Sequence, residues 1–268
     1  MIAALRYEWR RLWTIRSTYW LIGLTLTIQT LFTFVAAWGA QAGDAFDPEE
    51  VVSQIITLGA SFGYSPLITA YIIAMFGVFS FGHEYRYGMI RATLTAVPDR
   101  TAVFMAKVVV TSLLAGVLSL ACCLIGMFNA LLFLDTDGVL GGRGVWTVVL
   151  GATLYTMLFG LCGLAVAGLV RNQTGALALI LLFPLVIENV LGVILRLVSN
   201  LADNNVDAIA KVFPFDAGAQ MFARPSAQLI NDVLGYEPFG AVTGGLIMLA
   251  FTAGLLAGAH TLFRRRDA

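Results

Sequence analysis

Charged side chains are scarce in this sequence. Of its 268 residues, only 12% are Asp, Glu, Lys or Arg, whereas 59% are hydrophobic. An ordinary soluble domain has roughly 25% charged residues, because its surface must be polar enough to face water. This shortage excludes a soluble enzyme, a nucleic-acid-binding protein and a disordered scaffold. It predicts a protein that faces lipid over much of its surface.

Lysine and cysteine are scarce as well. Only Lys107 and Lys211 are lysines among the 16 basic residues, a bias typical of GC-rich bacterial genomes. The three cysteines are Cys122, Cys123 and Cys162, and all of them lie in apolar runs. Neighbouring residues on a helix point about 100° apart. We therefore expect neither a disulfide framework nor a metal site.

Motifs for nucleotide binding and catalysis are missing. No glycine-rich phosphate loop precedes Lys107 or Lys211, so the chain has no familiar device for binding ATP. Residues 59–63 match the G-x-S-x-G pattern of serine hydrolases, but His83 and His260 are predicted at the other side of the membrane,. We expect a protein that is not an enzyme and binds no cofactor itself.

Long apolar segments predict an all-α, polytopic membrane protein with six transmembrane helices in a single domain. The spans are predicted at residues 19–40, 63–82, 104–134, 146–170, 175–198 and 240–262. The segment 199–239 is predicted as an outer loop. Parts of it are too apolar for a free loop, so they should dip back toward the membrane or pack on the outer ends of the helices.

The basic residues predict the orientation of the spans. If the N-terminus is cytoplasmic, twelve of the 16 basic residues face the cytoplasm with only four acids, and the other side carries the remaining 12 acids. This distribution follows the positive-inside rule and places both termini in the cytoplasm. The cytoplasmic set is Arg6, Arg10, Arg11, Arg16, Arg86, Arg91, Arg100, Lys107, Arg171, Arg264, Arg265 and Arg266.

The first residues, 2–18, are predicted to form an amphipathic helix that lies on the membrane. At 100° per residue, one face carries Ile2, Leu5, Trp9, Leu12 and Trp13. The opposite face carries Arg10, Arg11 and Thr14. A basic helix with an aromatic-rich apolar face binds the headgroup layer and anionic lipid. A simple basic anchor before the first span is the alternative.

Glu188 is the most costly residue within a span. An ionisable group at that depth must be paired, hydrated or protonated, so we expect it to face a polar interior, with Asn189 beside it. It could line a pathway or a subunit seam, or it could make a structural hydrogen bond to another helix. Arg196 lies about 80° further round the helix, so we do not expect a direct pair.

The first inner loop, residues 83–103, is the most informative segment. A helix from Glu84 to Leu94 is predicted to turn Glu84 and Arg91 outward and to end before Pro98,. A short amphipathic helix between two spans carries no catalytic chemistry. It would serve as a contact for a cytoplasmic partner.

This arrangement resembles the permease subunits of ABC-2 type transporters. Those subunits combine an N-terminal amphipathic helix and six spans with a first inner loop of the form E-x-x-x-G-T, followed by leucine, proline, arginine and lysine. Met89 stands where that pattern has threonine. The matching positions here are Glu84, Gly88, Leu94, Pro98, Arg100 and Lys107.

The resemblance implies a permease that pairs with a second copy and contacts a separate ATP-binding subunit, which would hold ATP and Mg²⁺. The expected partners are that subunit, a homo- or heterodimeric second permease and membrane lipid, with no nucleic acid. The expected location is a bacterial plasma membrane. The residues expected to couple to the ATPase are Glu84, Arg86, Gly88, Arg91, Leu94, Pro98 and Arg100.

In that family the second and fifth spans line the central seam. Our own hypothesis assigns the substrate pathway or dimer seam to Tyr71, Met75, Phe79, Glu188 and Asn189. An alternative function is a membrane anchor or assembly subunit that recruits a cytoplasmic partner and transports nothing.

Overall fold

A computed structural model describes residues 1–41, 48–62, 65–66, 68–134, 138–139, 142–202, 207–222 and 238–265. Within these ranges the secondary structure is helical, apart from two antiparallel strands of two residues each, β1 (Ser61–Phe62) and β2 (Ser65–Pro66). The prediction of an all-α protein is therefore confirmed.

The first six helices build one half of the bundle. They are α1 (Ile2–Thr14), α2 (Arg16–Ala40), α3 (Pro48–Thr57), α4 (Ile68–Arg86), α5 (Ile90–Ala96) and α6 (Arg100–Phe133). The other helices are α7 (Arg143–Val170), α8 (Gln173–Leu182), a π-helical turn (Phe183–Glu188), α9 (Asn189–Ala202), α10 (Asp207–Ala210), α11 (Pro214–Ala219) and α12 (Ala241–Arg265).

Five of these segments are long and apolar enough to cross a membrane, within the residues that the structure describes. They are Arg16–Ala40, Arg100–Phe133, Arg143–Val170, Gln173–Ser199 and Ala241–Arg265. They correspond to the predicted first, third, fourth, fifth and sixth spans. The chain is thus a multi-pass membrane protein by the length and composition of its helices.

The second predicted span, 63–82, is not among the five. Its helix α4 begins at Ile68 and continues to Arg86, while residues 63, 64 and 67 lie outside the described part of the chain. The last turn of α4 carries His83, Glu84 and Arg86, which lowers its hydropathy. Most of its side chains are buried by other helices.

Glycines allow α4 and α7 to pack backbone against backbone. A Cβ on Gly77 would lie 1.9 Å from the carbonyl oxygen of Gly160, and one on Gly163 would lie 2.6 Å from that of Ala74. Small residues permit such a close approach between membrane helices. The core of the bundle is centred on this contact.

The outer face of α2 carries exposed tryptophans near both ends. Trp20 is 80% exposed and Trp38 is 62% exposed. Eighteen residues of helix correspond to a rise of about 27 Å, close to the thickness of the bilayer's hydrocarbon core. Tryptophan is enriched at both membrane interfaces, so this spacing supports a membrane-crossing α2.

The first inner loop contains a break that the sequence did not predict. Gly88 has a positive φ of 65°, which favours glycine, and it separates the end of α4 from α5. The predicted continuous helix from Glu84 to Leu94 is therefore wrong. The expected stop before Pro98 is confirmed, because α5 ends at Ala96 and Asp99 caps α6 by accepting hydrogen bonds from two backbone N–H groups.

Candidate functional site

Four charged side chains form a buried group where α1, α4 and α6 meet. We call Glu8, Arg11, Glu84 and Lys107 the inner cluster. The Lys107 ammonium lies 2.7 Å from Glu8 Oε1 and 2.7 Å from Glu84 Oε1, and its side chain is fully buried. Arg11 also pairs with Glu84 and lies 3.5 Å from Glu8 Oε2.

Two further contacts complete the inner cluster. The backbone carbonyl oxygen of Ser80 accepts hydrogen bonds from Lys107 at 3.0 Å and from Arg11 at 2.8 Å. The Lys107 ammonium also lies 5.1 Å from the centre of the Phe81 ring, within range of a cation–π contact. Two carboxylates thus meet two cations, so the cluster balances its own charge.

The position of Glu84 corrects a prediction. We expected Glu84 to face outward and contact a partner, but its side chain is buried between Arg11 and Lys107. Glu84 does not contribute to an exposed surface in this structure. Its carboxylate instead connects the C-terminal end of α4 with α1 and with the first turns of α6.

The orientation of α1 also differs from the simple amphipathic prediction. Ala4, Glu8 and Arg11 face the bundle, whereas Trp9 and Trp13 are exposed on the other side. Arg11 was expected on the polar outer face. The overlooked signal was the spacing of Glu8 and Arg11, which places opposite charges one turn apart on a single face.

The other residues predicted to couple to an ATPase lie on or near α5. Exposed positions of the loop form what we call the coupling surface: Arg86, Gly88, Arg91 and Pro98. Leu94 is half-buried and packs against the core. Arg100 is half-buried and donates a hydrogen bond of 3.1 Å to the backbone oxygen of Phe263 in α12.

The predicted pathway residues do not all lie together. Tyr71 is buried against Phe159, with ring centres 5.4 Å apart. Met75 and Phe79 are half-buried on the same helix, and the Phe79 ring stacks on His83. Asn189 donates to the backbone oxygens of its own helical segment, so it does not share the contacts of Glu188.

Glu188 belongs to a second buried group, the outer cluster, which consists of Glu188, Arg196 and Asp216. The carboxylate of Glu188 accepts hydrogen bonds of 3.1 Å from the backbone N–H groups of Phe215 and Asp216 at the start of α11. Arg196 pairs with Asp216 at 2.5 Å. As predicted, Glu188 and Arg196 bind different groups rather than each other.

The outer cluster attaches α11 to α9. Glu188, Gly192 and Arg196 recur every four residues and therefore share one face of the helix. Burial raises the pKa of the Asp216 carboxyl to about 6, and the guanidinium of Arg196 opposes this rise. The described part of the segment 199–239 thus packs on the bundle through α11.

Sequence patterns did not indicate Asp216 or Phe215 as partners of Glu188, because both lie in a separate short helix later in the chain. No protein-family model matches this chain, and no curated protein does either. The buried clusters and the coupling surface are therefore the features on which a function has to be argued.

Proposed function

We propose that this chain is the membrane-spanning permease subunit of an ATP-driven exporter of the ABC-2 type. It would act as a dimer in a bacterial plasma membrane and would contact a separate ATP-binding subunit through the coupling surface. The two termini would lie in the cytoplasm. Helix α4 would add one more membrane span to the five, the second in chain order, since its 19 residues rise about 28 Å.

The observation that carries this proposal is the position of α5. Ile90 and Thr93 anchor one side of this short helix in the protein, while Arg91, Ala92 and Thr95 are exposed. An exposed basic helix between two membrane helices is suited to a cytoplasmic protein partner. ATP binding by that partner would then move α5.

The inner cluster supports a route for that motion. Glu84 lies just before the coupling loop and Lys107 lies shortly after it, so their ion pair joins the two helices that the loop connects. Arg11 and Glu8 add α1 to the same group. A force on α5 would therefore act on α1, α4 and α6 together, which suits a two-state change driven by a partner.

The first experiment is affinity purification of the tagged protein from its own membranes in mild detergent, followed by mass spectrometry. We expect a stoichiometric subunit with a phosphate-binding loop. An intact preparation without an ATPase would overturn the proposal. It would favour the anchor function instead.

The second experiment tests the coupling surface. Arg91→Glu should reduce stimulation of the partner's ATPase at least tenfold without lowering the yield of the permease, because it reverses a charge on the exposed face of α5. Arg143→Glu is the matched control, since Arg143 is also exposed but begins α7 at the opposite end of the bundle. Equal stimulation in both variants would contradict the proposed contact.

A measurement of substrate flux into sealed vesicles distinguishes the permease function from the anchor function. A permease predicts ATP-dependent accumulation of a substrate, whereas an anchor predicts binding of the partner and no flux. Vesicles that contain both subunits and show coupled ATPase activity are the required preparation.

A further inference from the structure

The outer cluster contains more acid than base. Glu188 and Asp216 are two carboxyl groups, and Arg196 is the one guanidinium that pairs with them in the cluster. Each of the three residues is at most 4% exposed. The electrostatic influences on these carboxyl groups come from within the cluster, because Asp216 acts on Glu188 and Arg196 acts on Asp216. With both carboxyl groups ionised, the cluster carries one net negative charge, which either a proton or a bound cation would balance.

Two tyrosine hydroxyls face the same region without a hydrogen-bond partner among the described residues. They belong to Tyr71 and Tyr155, which are 8% and 0% exposed. The Phe159 ring contacts both tyrosine rings and the ring of Phe215. Glu188 acts electrostatically on both hydroxyls. Buried hydroxyl groups are usually hydrogen-bonded in proteins, so these two retain an unused capacity for a polar contact.

An apolar cavity of about 250 Å³ adjoins this region. It lies between α7, α8, α11 and α12, and its lining includes Cys162, Val166, Phe183 and Leu255. Phe215 also lines the cavity, while its backbone N–H binds Glu188. The cavity and the outer cluster are therefore adjacent.

Three aromatic rings form one wall of the cavity. Phe183, Phe215 and Phe251 are in mutual contact, with ring centres 5.9 to 6.4 Å apart. Aromatic faces attract cations, most strongly where water is excluded. At the rim, Val170 and Leu179 are exposed on the outside of the bundle, so the cavity opens toward the lipid.

We propose that this cavity and the outer cluster together bind a lipophilic monocation. The apolar body of the ligand would occupy the cavity, and its positive charge would lie against the phenylalanine rings near Glu188 and the two tyrosine hydroxyls. A neutral or anionic molecule of the same shape would lack the electrostatic attraction. That such a cation is the transported substrate rests on the proposed export function, whereas the binding itself does not.

The test uses the purified full-length chain in nanodiscs of zwitterionic lipid, without any ATPase. Equilibrium dialysis at pH 8 measures binding of tetraphenylphosphonium, because protons compete less with a cation there than at neutral pH. Tetraphenylborate has the same shape and the opposite charge. We expect saturable binding of the phosphonium in excess of that to empty nanodiscs, and no saturable binding of the borate.

Two variants locate the binding site. Glu188→Gln removes the charge and keeps a carbonyl oxygen for the N–H groups of α11, and it should weaken phosphonium binding at least tenfold. Val166→Trp should fill the cavity and cause a similar loss. The matched controls are Glu49→Gln, at an exposed position of α3, and Val117→Trp, on the exposed face of α6, and both should bind as the parent does.

Equal binding of the borate, or unchanged phosphonium binding in both Glu188→Gln and Val166→Trp, would overturn the inference. So would the absence of saturable binding at pH 8, since the cluster would then be neutralised without a ligand. Val166→Trp leaves the outer cluster intact, which keeps the test decisive if Glu188→Gln fails to fold. Saturable binding without ATP-dependent flux of the phosphonium would refute the inference that such a cation is the transported substrate and would leave the binding site standing.

Discussion

The inner and outer clusters are both buried and ionic, yet they differ in charge balance. The inner cluster sets two carboxylates against two cations, whereas the outer cluster sets two carboxyl groups against one guanidinium. A balanced cluster has little need of a ligand, and the removal of one member leaves an uncompensated charge. An unbalanced cluster can accept a positive charge. We therefore expect the inner cluster to contribute mainly to the stability of the fold and the outer cluster to bind a ligand.

The largest effect should follow from Lys107→Met. This change leaves Glu8 and Glu84 buried without their shared ammonium, and loss of one partner of a buried ion pair costs about 3–5 kcal/mol. Thermal unfolding in detergent would measure the loss. Lys211→Met is the control, because Lys211 is the chain's other lysine and is only half-buried. Equal melting temperatures for the parent and Lys107→Met would contradict the structural role of the inner cluster.

An intermediate effect is expected for Arg196→Met. Asp216 loses a charged hydrogen-bond partner, a loss of about 1.5–3 kcal/mol, but a carboxyl group can bind a proton and so limit the cost. The same unfolding measurement applies, with Arg143→Met as the exposed control. If Arg196→Met destabilised the protein more than Lys107→Met does, the ranking of the two clusters would be reversed.

The smallest effect should come from Glu188→Gln. It removes one of two neighbouring acids and retains an oxygen that can accept from the N–H groups of Phe215 and Asp216, so we expect a loss of at most about 1 kcal/mol. Glu84→Gln is the corresponding change in the inner cluster and should cost clearly more. Similar unfolding temperatures for these two variants would show that charge balance does not distinguish the clusters.

Hydropathy predicted much of the fold because a helix that faces lipid consists of a long run of apolar residues, which can be recognised from the local sequence. The predicted third span, 104–134, and the helix Arg100–Phe133 nearly coincide, and the last span is similarly close. Helix α4 was harder to delimit, since neighbouring helices bury it and its end carries Glu84 beside Arg86. Its packing depends on contacts such as Gly77 on Gly160, which involve residues far apart in the chain.

The candidate sites were less predictable than the spans because they also depend on contacts between residues far apart in the chain. Glu188 stood out because a carboxyl group within an apolar span is costly wherever it lies. Its partners Phe215 and Asp216 did not, since they are polar contacts made by a short helix whose position depends on the whole bundle. Gly88 shows that the local sequence can also be ambiguous, because a glycine is compatible with either a continuous helix or a break between two helices.

The members of the inner cluster are widely separated in the chain, so their contacts become possible at different stages of synthesis. Glu8 and Arg11 emerge from the ribosome first, Glu84 follows much later, and Lys107 comes last. The full set of contacts can form only after the beginning of α6 has been made. Until then the nascent chain carries an incomplete set of charges at the membrane surface. The contact of α1 with Lys107 is therefore one that only a longer nascent chain can make.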